Sequence, residues 1–358
     1  MSTTRYDRQI QLPGFGKEGQ QRLSAARVLV VGAGGLGGPV CQYLNAMGVG
    51  TLGIVDGDRI EESNLHRQPL YTPQDCKEYK TDVLARWMRL QNPETEVRLH
   101  SYYLTTENAL ELLEDYDLVV DATDRIPTRY LLDDACVIKE IPWVYGALHG
   151  FEGQLSVFNY QQGPTYRCLF PKIPKPGEIP DCNQLGTLGI LPGVMGTLQA
   201  LEVVKIITGL GSVQAGKLLL YNALDQQIHH IGFDKNASSG TREILSPADY
   251  DSSLCESGGS ITAESYRKLI EGGRRIQLLD VREPDEFSFH HLPGAKNLPL
   301  SHLEGAFSKI DIEGDTCLIC HSGSRSAQAY RILKNRNANG TLSWIRGGIP
   351  AIERIIQE

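Results

Sequence analysis

Glycine-rich backbone follows the first apolar run of the chain, in the segment VGAGGLG. Gly32, Gly34 and Gly37 fit the pattern G-x-G-x-x-G, and Gly35 adds a fourth residue without a side chain. Such a turn between a strand and a helix lets a phosphate approach backbone amides, where the helix dipole favours an anion. Asp56 closes the next apolar run and is placed to accept hydrogen bonds from a ribose. On this motif alone, an NAD or FAD enzyme is favoured over a tight turn that binds nothing.

Polar and charged residues beyond this loop favour a nucleoside triphosphate instead. Asp58, Asn64, Arg67 and Lys80 follow the second apolar run, where a dinucleotide site would have little use for them. Arg67 and Lys80 would offset the negative charge that grows as pyrophosphate leaves. Asp124 closes the predicted fourth strand, at the sheet edge where ligands of such folds bind, and is placed to hold Mg²⁺. Each residue alone is more often a solvated surface group, but together they indicate a site.

A second candidate site lies near the other end of the chain, in TCLICHSGSRSAQA. Cys320 opens a tight loop and Arg325 closes it, while Gly323 lets the backbone curl so that amides at the helix start form an anion-binding nest. These groups are expected to favour a thiolate or persulfide on Cys320 over a neutral thiol. A cysteine-dependent phosphatase is the alternative, but such loops usually place the arginine one position further on. The spacing favours sulfur chemistry, and Cys317 is predicted to pack inside the domain.

Alternating strand and helix patterns must position these residues, which predicts a mostly parallel, doubly wound α/β sheet of Rossmann type. Strands are predicted at 28–31, 51–55, near Val97 and at 117–124, with a glycine-broken strand region at 143–158. Helices are predicted at about 73–90 and 194–208, the second after a Pro- and Gly-rich loop at 163–193.

The chain length of 358 residues indicates more than one domain. A polar, Ser- and Gly-rich stretch marks a linker. We assign residues 1–240 to the first domain, 241–260 to the linker and 261–358 to a smaller α/β domain.

Composition excludes several classes of protein. The formal net charge of −8 disfavours a general nucleic-acid binder. No apolar run approaches the length that crosses a bilayer, and the segment MSTTRYDRQIQ has no apolar core of a secretory signal. Eight irregularly spaced cysteines do not indicate a disulfide scaffold, so we expect a cytoplasmic protein with reduced thiols.

Residues 1–230 resemble the ThiF/MoeB/HesA family of adenylyltransferases, which are bacterial relatives of the ubiquitin-activating enzymes. The resemblance is carried, in order, by RYDRQI, VGAGGLG, DGDRIEESNLHRQ, YKTD, DATD and CNQLGTLGILPGVMGTLQALEVVK. It implies that ATP and Mg²⁺ activate the terminal glycine carboxylate of a ubiquitin-like sulfur carrier of the MoaD/ThiS type, one ending in Gly-Gly.

The same resemblance implies a role for each matching residue. Gly35 would lie at the phosphates and Asp56 at the ribose, while Asp124 would hold the metal. The phosphates would be held by Asn64, Arg67 and Lys80. Arg8 resembles an arginine that reaches the ATP of a neighbouring subunit, which implies a homodimer.

Cysteines set this chain apart from many members of that family, which carry two CxxC pairs that bind zinc. The first pair survives only as Thr165-Tyr166-Arg167-Cys168, and the region after Asp225 has no second pair. Zinc needs four ligands, so no structural zinc is predicted and Cys168 is an ordinary thiol. Cys182 stands where some relatives have a cysteine that links covalently to the carrier, although a loop cysteine is often incidental.

The segment 261–358 resembles a rhodanese domain through LLDVREPDEF, HHLPGAKNLP and WIRGGIPAI. This implies a persulfide on Cys320, with Asp280 and Arg282 shaping the domain. Displacement of AMP, directly or through Cys182, would then give a carrier thiocarboxylate for molybdopterin or thiamine synthesis or a related thiolation. A cysteine desulfurase is the expected kind of sulfur donor. An NAD(P)-dependent oxidoreductase fused to a sulfurtransferase and a non-catalytic carrier-binding scaffold remain as alternatives.

Overall fold

The chain divides into two compact units, residues 1–252 and 253–358. A computed structural model describes residues 3–174, 186–236, 244–246, 250, 260–303, 314–321, 323–333 and 341–356. Two residues of the predicted linker belong to the core of the first unit, because Leu245 and Tyr250 are both buried there. The Tyr250 hydroxyl donates a hydrogen bond of 2.7 Å to the carboxylate of Asp134.

The first unit is built on a single sheet flanked by helices. Its elements, in chain order, are α1 (Thr3–Ile10), α2 (Gly16–Ala25), β1 (Arg27–Val31), α3 (Gly37–Ala46), β2 (Thr51–Val55), α4 (Lys80–Gln91), β3 (Glu96–His100), α5 (Ala109–Leu113), β4 (Leu118–Asp121), α6 (Ile126–Ile138), β5 (Trp143–His149), β6 (Glu152–Phe158), α7 (Tyr166–Leu169), α8 (Leu191–Thr208), β7 (Lys217–Asn222) and β8 (Gln227–Gly232).

The sheet runs in the order β3-β2-β1-β4-β5-β6-β7-β8. The neighbouring strands β3, β2, β1, β4 and β5 are parallel to one another. From β5 onwards, β6, β7 and β8 each pair antiparallel with the strand before. The predicted doubly wound, mostly parallel sheet is therefore confirmed. In the register of β1 with its neighbours, Val31 lies opposite both Val55 and Asp121, so the chain leaves these three strands at the same edge.

Three predicted boundaries are wrong. The helix expected from 73 begins only at Lys80, because Pro73–Asp75 forms a separate short turn and Lys77 has a φ of 77°. The apolar helix starts earlier than expected, at Leu191. The fourth strand ends at Asp121 rather than at Asp124. The buried carboxylate of Asp121 accepts hydrogen bonds from the amide and hydroxyl of Thr123 and forms an ion pair with Arg129. These contacts turn the chain out of the strand after Asp121.

Judged only by its length and composition, helix α8 is long and apolar enough to cross a membrane. About half of it is buried inside the first unit, where it packs against α3, α2 and strands β5 and β6. Its length and composition are thus explained by a core position.

The glycine turn between β1 and α3 leaves no room for one added methyl group. A Cβ on Gly37 would lie 1.8 Å from the carbonyl oxygen of Gly32, so the backbone would have to shift. We expect Gly37→Ala to lower the free energy of unfolding by at least about 2 kcal/mol, measured by urea denaturation.

Gly193→Ala is the matched control, since a Cβ there meets nothing within 4 Å in helix α8. Alanine should raise the stability at this position by about 0.5–1 kcal/mol. Equal effects of the two substitutions would contradict a tightly packed turn.

The second unit is a smaller sheet in the order β11-β10-β12-β13-β9, with every pair parallel. Its elements are β9 (Ser260–Ile261), α9 (Ala263–Glu271), β10 (Gln277–Asp280), α10 (Pro284–Phe289), β11 (Lys296–Asn297), α11 (Leu300–Leu303), β12 (Thr316–Ile319), α12 (Ser324–Leu333), β13 (Leu342–Ile345) and α13 (Gly348–Ile356). Cys320 directly follows the buried central strand β12.

Candidate active sites

The glycine loop presents backbone amides at the start of helix α3. Within the described residues, the amides of Gly34, Gly35 and Leu36 donate to no acceptor. The amide of Ala33, by contrast, donates 2.8 Å to a carboxylate oxygen of Asp56. Free amides at a helix amino terminus are suited to an anion such as a phosphate. The loop thus has the donors that phosphate binding requires.

Asp56 follows β2 and ties the loop to the next segment. Each of its oxygens accepts one backbone amide, from Ala33 at 2.8 Å and from Asp58 at 2.7 Å. Burial raises the pKa of Asp56, and the nearby charge of Lys80 and these two amides oppose that rise. Each carboxylate oxygen keeps a second lone pair, so a ribose hydroxyl can still donate to it.

Lys80 is buried at the start of α4 and lies between the two aspartates. Its Nζ is 2.8 Å from Asp58 and 4.0 Å from Asp56. Burial alone would raise the pKa of Asp58, but hydrogen bonds from Lys80 and from the hydroxyl of Tyr103 hold it below its ordinary value. The guanidinium of Arg125 lies over the Tyr103 ring, 5.6 Å from its centroid. The carboxyl edge of the sheet therefore holds a cluster of fixed charges beside the loop.

Asn64 and Arg67 lie in the segment that covers the glycine loop. The Arg67 guanidinium donates a hydrogen bond of 3.0 Å to the carbonyl oxygen of Ser63. The backbone carbonyl oxygen of Arg67 lies close to the loop, 3.0 Å from where a Cβ on Gly35 would be. Asn64 uses its side-chain oxygen to accept the amide of Glu61. Both side chains are partly exposed. The segment that carries them borders the glycine loop, but neither side chain accepts a hydrogen bond from the described amides of Gly34, Gly35 and Leu36.

Two buried residues near the loop escaped prediction from sequence. The Tyr71 hydroxyl donates a hydrogen bond of 2.6 Å to the carbonyl oxygen of Ala33 and so holds the glycine loop in place. Gln68 is also buried beside Gly34, and its side-chain oxygen has no partner within the described chain. The motif NLHRQPLY contains both residues, but nothing in the spacing indicates which side chains turn inwards.

Among the described residues, the predicted site residues Asp124 and Arg8 form no hydrogen bond or ion pair with this cluster. Asp124 is exposed three residues beyond the end of β4, and no described residue forms a hydrogen bond or ion pair with its carboxylate. Arg8 is exposed on α1. Cys182 lies outside the described residues. The roles predicted for these three residues stay predictions.

The residues that could be remnants of a zinc site, Cys168, His229 and His230, lie on α7 and β8. Cys168 is half-buried in α7, where its sulfur accepts the amides of Thr165 and Asn236 at 3.4 Å each. His229 and His230 are exposed on β8. In the described part of the chain, no group of three or more His, Cys, Asp or Glu side chains is arranged to hold a metal ion.

Cys320 lies in a cradle formed by the loop before α12. Its buried sulfur accepts the amide of Gly323 at 3.1 Å and that of Ser326 at 3.4 Å. Gly323 has a φ of 97°, a conformation that other residues rarely adopt. The amide of Ile349 donates a hydrogen bond of 2.9 Å to the Cys320 carbonyl and thereby ties the start of the loop to α13. Two amides directed at one sulfur favour negative charge there, as a thiolate or persulfide requires.

Arg325 forms no hydrogen bond with this sulfur among the described residues, and the role predicted for it stays a prediction. Its guanidinium forms a two-pronged ion pair with Glu286 of α10, with one Nη at 2.8 Å from Oε1 and the other bonded to Oε2. The Oε2 atom of Glu286 also accepts the backbone amide of Glu283 at 3.3 Å. Backbone amides, rather than the arginine, make the direct contacts with Cys320.

Asp280 and Arg282 form a buried ion pair of 2.6 Å. Arg282 also donates 2.6 Å to the carbonyl of His290, so this pair fastens the loop after β10 to the core. Cys317 is fully buried, and burial raises its pKa to about 12. Their predicted structural positions are confirmed.

Comparison with known proteins assigns both units. Residues 6–241 match the ThiF family, and residues 262–354 match the rhodanese-like domain. The chain is 38% identical to the probable adenylyltransferase/sulfurtransferase MoeZ of Mycobacterium tuberculosis, over 99% of this chain and 93% of the relative. It is 39% identical to the adenylyltransferase and sulfurtransferase MOCS3 of Caenorhabditis briggsae, over 93% of this chain and 89% of that relative.

The first unit has further relatives of its own. A sulfur carrier protein adenylyltransferase of Thermus thermophilus is 51% identical over 65% of this chain and 88% of its own length. The crystal structure of E. coli MccB superposes with a TM-score of 0.60 at 20% identity, over 69% of this chain and 74% of that chain, which shows the fold. These names favour adenylation over the oxidoreductase and scaffold alternatives. The chain belongs to the ThiF family, in the group of enzymes that join an adenylyltransferase to a rhodanese-like sulfurtransferase domain.

Proposed function

We propose that this enzyme uses ATP to adenylate the C-terminal glycine carboxylate of a ubiquitin-like sulfur-carrier protein. A persulfide on Cys320 then supplies the sulfur of a carrier thiocarboxylate. The observation that carries the proposal is that the amides of Gly34, Gly35 and Leu36 donate to no acceptor in the part of the chain that the structure describes, beside the buried Lys80. The relatives named for adenylyltransferase, sulfurtransferase and sulfur-carrier activity support it.

Adenylation must bring the phosphates of ATP against a second anion, the carrier carboxylate. The free loop amides would hold the phosphates, and Asp56 would accept a ribose hydroxyl through its remaining lone pairs. Lys80 would turn from Asp58 to the phosphates, and Arg67 would release the Ser63 carbonyl to do the same. Positive charge in place before pyrophosphate leaves needs little reorganisation during the reaction.

Asp124 is our candidate ligand for Mg²⁺. Its exposed carboxylate has no partner among the described residues, and carboxylate oxygens are ligands that Mg²⁺ accepts. A magnesium ion held there would neutralise phosphate charge. We also propose that this enzyme holds no structural zinc ion.

The persulfide on Cys320 makes the second reaction possible. Its terminal sulfur would attack the carbonyl carbon of the acyl-adenylate, and AMP would leave with the bonding electron pair. A second thiol must then break the S–S bond, releasing the thiocarboxylate and leaving a disulfide. Cys182 is our candidate for an alternative route, in which its thiol first displaces AMP to form a thioester with the carrier and the persulfide then attacks that thioester. Placing both activities on one chain raises the effective concentration of the sulfur.

We further propose a homodimer in which Arg8 reaches the neighbouring ATP, and a cysteine desulfurase as the sulfur donor. A reducing compartment such as the cytoplasm would keep Cys320 and Cys182 ready for this chemistry.

ATP–pyrophosphate exchange tests the adenylation step. The wild-type chain should exchange label only with a carrier that keeps its terminal glycine, and Asp124→Ala should reduce the rate by about 10²-fold or more. Asp225→Ala is the control, because Asp225 is another exposed aspartate and lies in the turn between β7 and β8. Exchange that is independent of the carrier's last glycine would contradict the proposal.

A further inference from the structure

The border of the Cys320 loop carries an ion pair that the proposed sulfur transfer does not use. Arg325 and Glu286 meet through two hydrogen bonds, with the two side chains 28% and 42% exposed. Such a two-pronged pair satisfies the guanidinium fork and fixes its orientation. The pair is partly open to solvent, and its two opposite charges cancel at the border of the loop.

Arg325 lies within electrostatic reach of the sulfur. It precedes Ser326, whose amide donates to the Cys320 sulfur. The hydrogen bond that Arg325 donates to Glu286 is the main cause that raises the pKa of Arg325, and a negative charge on Cys320 raises it further. An unpaired guanidinium in this place would attract a small anion to the cysteine.

We propose that Glu286 determines which sulfur donor loads Cys320, because it engages Arg325 and thereby disfavours small sulfur anions such as thiosulfate. Donors that present a persulfide on a larger thiol, such as a protein cysteine, do not need the cation. Glu286 is thus a specificity-determining residue of the second unit. This inference rests on the proposed function of Cys320 as the sulfur acceptor.

The two kinds of donor differ in the charge they bring. In both cases the Cys320 thiolate attacks the outer sulfur of the donor and a Cys320 persulfide forms. With thiosulfate the S–S bond breaks and sulfite, a dianion, leaves with the electron pair. With a persulfide the leaving group is a thiolate with one negative charge. A free cation at the border of the loop therefore helps the thiosulfate route more.

Glu286→Gln in the full-length chain tests this inference, because glutamine keeps an oxygen for the Glu283 amide but loses the charge. Thiosulfate turnover is measured with cyanide as acceptor, and Cys320 loading by a cysteine desulfurase with cysteine is measured by mass spectrometry. We expect kcat/KM for thiosulfate to rise about tenfold and the gain to shrink at high salt. Loading by the desulfurase should stay within about twofold of wild type.

Two further variants separate the ion pair from a general charge effect. Asp285→Asn removes the same charge from the same helix, at a residue with no contact to Arg325 among the described residues, and should leave thiosulfate turnover unchanged. The double variant Glu286→Gln/Arg325→Gln should lose the gain. Equal gains in Asp285→Asn and Glu286→Gln, or a gain that persists in the double variant, would overturn the inference.

Failure of this inference is distinct from failure of the proposed function. If the desulfurase loads wild-type Cys320 and Glu286→Gln gains no thiosulfate activity, the inference is wrong and the proposed function stands. If neither donor loads wild-type Cys320, both are wrong.

Discussion

Cys320→Ser is expected to reduce thiocarboxylate formation by about 10³-fold or more while leaving carrier-dependent ATP–pyrophosphate exchange unchanged. A serine hydroxyl can accept the same amides, from Gly323 and Ser326, so the loop should keep its shape. Oxygen cannot hold the persulfide, so only the sulfur step is lost. Exchange and thiocarboxylate formation are measured on the same preparation.

The control for this prediction is Cys168→Ala, which removes a half-buried thiol from the first unit. It should retain both activities. Loss of pyrophosphate exchange in Cys320→Ser would show that the two activities are not separable in the way we propose.

Lys80→Ala is expected to reduce ATP–pyrophosphate exchange by about 10²–10³-fold, because the buried ammonium group beside the loop is lost. The change should also destabilise the first unit by about 1–3 kcal/mol, since Asp56 and Asp58 lose their cation. Lys17→Ala is the control, because Lys17 is an exposed lysine on α2.

The destabilisation of Lys80→Ala should depend on pH. Burial already raises the pKa of Asp56, and the charge of Lys80 opposes that rise. Without Lys80, the folded state would bind a proton on Asp56 more tightly than the unfolded state does. Its stability would then fall as the pH rises above the ordinary aspartate range. Urea denaturation should therefore show a larger loss at pH 8 than at pH 5, and an equal loss at both would contradict this account of Asp56.

Local sequence patterns predicted the parts of the sites that lie at the ends of strands. Asp56 and the glycine turn follow short apolar runs, and period and turn signals mark such positions without tertiary information. The loop of Cys320 could be predicted for the same reason.

Long-range partners decided what could not be predicted. Arg325 is held by Glu286, 39 residues earlier in the chain, and Tyr71 reaches Ala33 across 38 residues. The end of β4 at Asp121 depends on a buried ion pair with Arg129, whereas the sequence DLVVDATD offers two aspartates at which the strand can end. Sequence patterns report which residues are polar but not which partner each one meets.

Mass spectrometry of the carrier after reaction with the full-length enzyme, ATP and a cysteine desulfurase with cysteine tests the central claim most directly. We predict that the carrier's C-terminal carboxylate gains one sulfur in place of one oxygen, only when ATP and Cys320 are both present. A carrier of unchanged mass, or sulfur incorporation that does not need ATP, would contradict the account.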